Sequence, residues 1–232
     1  MLKHRQPPHR PRKFRIRALA SAATLALAGA LTAPSAYADV RDTDIICGAS
    51  YAEQARAAED QPDIVAAAAI VVGQDGTAYF ERDADAEVKI ASLTKVMTAI
   101  VALKYGNLSD LVTVPEEAVI TESGSSMAGV VPGDQMSLED LLYGLMIPSG
   151  NDAANAIAVH VGGSIEGFVS MMNQEAARLG ATGTHFVNAN GLTDPDHYTT
   201  AYDMALITQY ALGVEGFRDY WCAEEYTIQP TN

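Results

Sequence analysis

Between Ser92 and Tyr105 the chain is almost continuously apolar, with Val96, Met97, Ala99, Ile100, Val101, Ala102 and Leu103 crowding a stretch that carries only two lysines. A helix that is apolar nearly all round must be covered on every side, and this one is too short to cross a membrane. The spacing therefore predicts a globular fold built around one buried helix. Candidates for its cover follow. Leu138, Leu141, Leu142, Leu145 and Met146 recur with helical period behind a Ser137–Asp140 capping box. Residues 152–161 and 164–179 continue the helical pattern, the second burying Ile165, Phe168, Val169, Met172, Ala176 and Leu179 on one side. Thr200 with Asp203 caps a last helix that runs to about Leu212 and stops at Gly213. Before the central helix, runs at 64–72 and 77–81 flank Gln74-Asp75-Gly76, a hairpin signal. A lone strand is expected at 225–229. Two strands, a run of helices and one more strand make an α+β layout with an unfinished sheet. No repeat or low-complexity linker divides residues 39–232, so they read as one domain.

Residues 1–38 differ in kind. They hold seven basic residues, the last at Arg17, and no acid. An uncharged stretch follows, apolar at 18–31 and ending in Ser-Ala-Tyr-Ala, with Ala36 and Ala38 spaced as in a signal-peptidase site. A secretory signal cleaved after Ala38 is expected. A membrane anchor is disfavoured, because nine of residues 18–31 are Ala, Gly or Ser. Without this leader the chain keeps eight basic against 29 acidic residues, a net charge of −21. So acidic a body repels phosphate backbones, and no nucleic-acid partner is expected. Export would put Cys47 and Cys222 where disulfides persist. Their pairing would close a loop of roughly 175 residues, worth about 5 kcal/mol in the chain-entropy account. A bridge is expected, with two free thiols as the alternative.

Ser92-Leu93-Thr94-Lys95 opens the buried helix. At i, i+3 the hydroxyl and the amine share a face. Burial lowers the pKa of a lysine and leaves it able to accept a proton, so Ser92 is a candidate nucleophile and Lys95 its base. A serine cap followed by a surface lysine has the same spelling. Ser149-Gly150-Asn151, after Pro148, reads as a tight loop between two helices. Its hydroxyl could relay a proton and its amide could hold a carbonyl; an ordinary turn with Asp152 capping the next helix is the plainer reading. His160 reads as a core or flanking residue of its helix. His185 and His197 fall in loops with no Cys or carboxylate at ligand spacing, so no metal and no cofactor is expected.

Taken together these segments resemble one family. Ile90-Ala91-Ser92-Leu93-Thr94-Lys95-Val96-Met97-Thr98 is similar to the first active-site motif of the penicillin-binding, low-molecular-mass D-alanyl-D-alanine carboxypeptidases, peptidases of S11 type. The likeness continues through Gly124-Ser125-Ser126-Met127, Ile147-Pro148-Ser149-Gly150-Asn151-Asp152-Ala153-Ala154, Asn190-Gly191-Leu192 and Tyr202-Asp203-Met204-Ala205-Leu206. The resemblance implies a β-lactamase/transpeptidase-like fold, with N-terminal sheet strands and a helical subdomain. It implies that Ser92 is acylated, Lys95 is its general base, Ser149 shuttles a proton and Asn151 orients substrate. Peptidoglycan stem peptides and β-lactams are the ligands it implies. The family's third motif, Lys-Thr-Gly, has no counterpart: the last lysine is Lys104, and the Thr-Gly beyond it is Thr182-Gly183. Residues 39–232 are accordingly expected to be an incomplete catalytic domain lacking the C-terminal strands. Peripheral membrane association is expected of a full-length form only. A catalytically impaired, penicillin-binding remnant is the alternative. A class A β-lactamase fits less well, since residues 176–193 hold no acid to drive deacylation.

Overall fold

The computed structural model describes residues 15–17 and 64–228. In chain order these form β1 (Arg15–Arg17), β2 (Ala69–Val72), β3 (Ala78–Arg82), a 3-10 turn (Ala91–Leu93), α1 (Thr94–Tyr105), β4 (Leu111–Thr113), a second 3-10 turn (Glu116–Ala118), β5 (Gln135–Ser137), α2 (Leu138–Met146), α3 (Asn151–Gly162), α4 (Ile165–Leu179), α5 (Ala201–Leu212), α6 (Phe217–Trp221) and β6 (Glu225–Thr227). The α+β layout stands.

The central helix is where its composition puts it. From Thr94 to Ala102 every residue of α1 is buried, and α1 packs against all five other helices. Leu138, Leu141, Leu142 and Leu145 of α2, Ile157 of α3, Phe168 and Met172 of α4, and Ile207 of α5 are fully buried within the same core. The helix ends obey their local signals. Ser137 accepts from the Asp140 amide while the Asp140 carboxylate accepts from the Ser137 amide, the reciprocal pair expected. Ser164 caps α4 and Thr200 caps α5. One ionic cluster links α1 to α4: Lys104 Nζ lies 2.8 Å from the buried Glu175 carboxylate, which Arg178 also binds. Hydrogen bonding from Arg178, reinforced by Lys104, holds Glu175 down to about 2 against the raising effect of burial.

The strands are sparser than the helices. β2 and β3 pair antiparallel around the Asp75-Gly76 turn, with an irregularity at Val71/Val72, and β2 rests on α5. The expected first strand is shortened. Residues 64–68 stay irregular, because alanines 66–68 have little strand preference and Val65 is fully exposed. β4 and β5 form a second antiparallel pair that the sequence did not announce. The terminal strand is found at Glu225–Thr227, and its partner is β1, with Arg15 opposite Thr227 and Arg17 opposite Glu225. That partner lies inside the segment read as a leader. Among the described residues the strands thus make three separate two-stranded ladders. Cys222, at the end of α6, is an exposed free thiol; Cys47, its expected partner, lies outside the described residues, as do 1–14 and 18–38 of the expected leader. No helix among the described residues is long and apolar enough to cross a membrane.

Candidate active site

Ser92 sits in the 3-10 turn that leads into α1, two residues before the α-helix begins at Thr94. The turn follows from Ala91, whose φ of 51° is unusual for a residue with a Cβ. It leaves Ser92 exposed while Lys95, three residues on, is 3% exposed.

Lys95 Nζ has three oxygen neighbours: Asn190 O at 2.6 Å, Asn151 Oδ1 at 2.7 Å and Ser92 Oγ at 3.2 Å. Burial pulls its pKa down to about 8, and the Asp152 carboxylate pulls the other way. An amine that titrates there holds a substantial neutral fraction near neutral pH. Its two N–H groups then satisfy the two carbonyls, and its lone pair is left facing Ser92.

Ser149 is joined to Ser92. Its hydroxyl donates to Ser92 Oγ at 2.9 Å. Ser149 has a φ of 60°, a backbone state costing on the order of 1–3 kcal/mol for a non-glycine residue. The following Gly150 allows it, since a Cβ there would fall 2.6 Å from Gly144 O and 2.8 Å from Ala128. Asn151 begins α3, and its side-chain carbonyl accepts from Lys95.

Asp152 does not cap α3. The N-cap is Gly150, without a side-chain bond. The carboxylate instead turns back to accept from the amides of Ala128 at 2.8 Å, Gly129 at 2.8 Å and Val130 at 3.0 Å. The Asn151 backbone N–H donates to Ser126 O at 2.9 Å, so the loop around Ser125 and Ser126 is fastened to the start of α3. That loop and the 190–193 segment wall a cleft of about 440 Å³ with Ser92 and Asn151 on its floor.

Asn190 is the residue that sequence reasoning did not single out as part of the site. Its carbonyl takes the lysine, while its side chain bonds Asn155 at 3.0 Å and the Leu192 amide at 2.8 Å. Gly191 follows with φ 91° and packs against the nucleophile turn so closely that a Cβ would lie 2.0 Å from Ala91 O. The available signal was Asn-Gly, which marks a turn but not a carbonyl ligand. Among the described residues no group of three or more His, Cys, Asp or Glu side chains converges. His160 meets Asp110 outside the cleft.

Ser149, Ser92, Lys95 and Asn151 are therefore joined in one run of hydrogen bonds. An α+β protein with a buried lysine beside one serine hydroxyl, itself bonded to a second, at the start of a core helix, has the arrangement of a serine–lysine site. Residues 55–229 match the family model of the D-alanyl-D-alanine carboxypeptidases, peptidase S11, and the chain belongs to that family. It is 42% identical over 170 residues to the D-alanyl-D-alanine carboxypeptidase DacC of Escherichia coli, covering 68% of this chain and 42% of that protein. It is 36% identical over 161 residues to DacF of Bacillus subtilis, covering 67% and 41%. Penicillin binding protein 5 of Haemophilus influenzae superposes with a TM-score of 0.69 at 31% identity, over 75% of this chain and 54% of that one. The transpeptidase-like fold is thus shared with solved relatives. The chain spans about two fifths of the length of the curated relatives it matches.

Proposed function

We propose that this chain is a serine-type D-Ala-D-Ala carboxypeptidase that acts on peptidoglycan stem peptides through an acyl-enzyme on Ser92. The observation that carries the reading is the seat of Lys95, buried between two carbonyls with Ser92 as its third neighbour. Neutral Lys95 takes the Ser92 proton as Oγ attacks the carbonyl between the two D-alanines. Ser149, bonded to Ser92 Oγ, passes a proton to the leaving amine of the terminal D-Ala. Water then attacks the ester, Lys95 and Ser149 reverse their roles, and Ser92 is released with its proton. Asn151 holds Lys95 by its carbonyl and leaves its amide N–H groups for a substrate carbonyl. A β-lactam offers the same site a strained amide and would acylate the same oxygen.

The address belongs to the proposal as well. Residues 1–38 are read as a cleaved export signal on the strength of their charge and apolar pattern, which would put the catalytic residues on the side of the membrane where the cell wall is.

Intact mass after incubation with benzylpenicillin tests the chemistry, with Ser92→Ala as control and release of D-Ala from a D-Ala-D-Ala peptide as the second readout. One penicilloyl group on the parent protein and none on the variant is the expected result. A folded parent protein that takes no adduct overturns the enzymatic reading and leaves a binding or inert remnant.

A further inference from the structure

One buried group outside these four residues touches two of the site's supports at once. His197 is 2% exposed. Its Nε2 lies 2.7 Å from Thr94 Oγ1, the first residue of α1, between Ser92 and Lys95. Its Nδ1 accepts from the Val187 amide at 3.1 Å. Val187 opens the segment that leads to Asn190, whose carbonyl receives Lys95. A backbone N–H can only donate, so Nδ1 is unprotonated and the ring proton sits on Nε2, where it is donated to Thr94. The ring edge meets Phe186 at 5.8 Å between centroids. A second tie runs beside it, from Thr98 Oγ1 to Ala189 O at 2.6 Å.

We propose that His197 is a positioning residue: its neutral ring pins the start of α1 to the 187–190 segment and so fixes the Asn190 carbonyl on Lys95. The proposal rests on the reading of Lys95 as the base. The ring's surroundings agree. Burial lowers its pKa to about 4; Asp194 opposes that, and His185 and Lys89 add to it. The ring consequently stays uncharged at any pH where Lys95 has a neutral fraction.

The chain has only five lysines, Lys3, Lys13, Lys89, Lys95 and Lys104, so ¹³Cε-labelled lysine gives a readable titration of Lys95 without any catalysis. In Thr94→Val the tie is lost, and the Lys95 midpoint should climb from about 8 toward the ordinary lysine value as the loosened segment admits water. Penicillin acylation at pH 7 should fall roughly tenfold. Thr94→Ser keeps a hydroxyl and should restore both readings. His197→Phe combined with Thr94→Val should add little to either single change. An unmoved Lys95 midpoint in folded Thr94→Val overturns the proposal, as do fully additive losses. Histidine ¹⁵N shifts of the parent protein decide it without a variant: a ring protonated on Nδ1, or charged above about pH 5, overturns it. If the parent protein takes no penicillin while its lysine titration responds as stated, the enzymatic reading fails and the positioning role stands.

Discussion

Burial pulls Lys95 down to about 8, and on the proposed mechanism this sets how Ser92 responds to pH. Only the neutral amine can accept the serine proton, so acylation should fall about tenfold per pH unit below 8 and level off above it. Adduct formation timed by mass between pH 6 and 10 checks this, and a flat profile would remove Lys95 from the base role. Lys95→Arg, charged throughout, should abolish the adduct without moving the plateau of any other group. If Ser149 is the proposed relay, Ser149→Ala should slow D-Ala release by roughly 10²–10⁴ while Ser92 and Lys95 keep their contact. Ser92, Lys95, Ser149 and Asn151 stood out in the sequence as candidates by type and spacing, and the resemblance of their motifs to one family singled them out. The Asn190 carbonyl did not stand out. Every residue has one, and only the turn at Gly191 decides where this one points.

Elements carry the site through their junctions. The 3-10 turn under Ser92, the strained Ser149 before α3 and the Asn190 segment meet within a few ångströms, each held by a backbone state that a helix interior would forbid. Gly191 is the sharpest case. Gly191→Ala asks for a Cβ 2.0 Å from Ala91 O at a φ of 91°, so the segment must retreat and take its carbonyl from Lys95. Acylation should drop at least tenfold while the melting temperature shifts by only a few degrees, the loop being local; thermal melting beside adduct kinetics would show the split. The five longer helices were readable from period and caps, Ser137–Asp140 above all, whereas the five-residue α6 was too short to show a period. The β4–β5 pair was not readable either. Three-residue strands are too short for alternation to register.

At the scale of the molecule, two features set stability rather than chemistry. Glu175 joins α1 to α4 with its carboxylate buried, its pKa held near 2 instead of about 4.5. A carboxylate whose folded pKa is depressed stabilises fully above its unfolded value. That contribution fades as pH falls from about 4.5 to about 2. Glu175→Gln should therefore be less stable at pH 7 but lose less on acidification, which denaturant midpoints at pH 7 and pH 3 can compare. The second feature, confined to the uncleaved chain, is β6, whose only ladder partner among the described residues is β1 within the proposed export signal. Removing residues 1–38 should speed amide exchange at 225–227 and leave α1 protected. Equal exchange in both forms would mean that β1 contributes no protection. The sequence reading expected an unfinished sheet but left this strand alone, since a basic tripeptide ahead of an apolar run looks like a leader and carries no sign of pairing. The burial of α1 reaches further. Nine successive residues of α1, from Thr94 to Ala102, are buried among the other helices and the 187–197 segment, so a volume change in that interior would be passed along the helix toward Ser92. Ordinary hydrophobic drift, which most cores absorb silently, would surface here as altered turnover, and the fold's evolutionary freedom is narrowed at its centre as much as at its cleft.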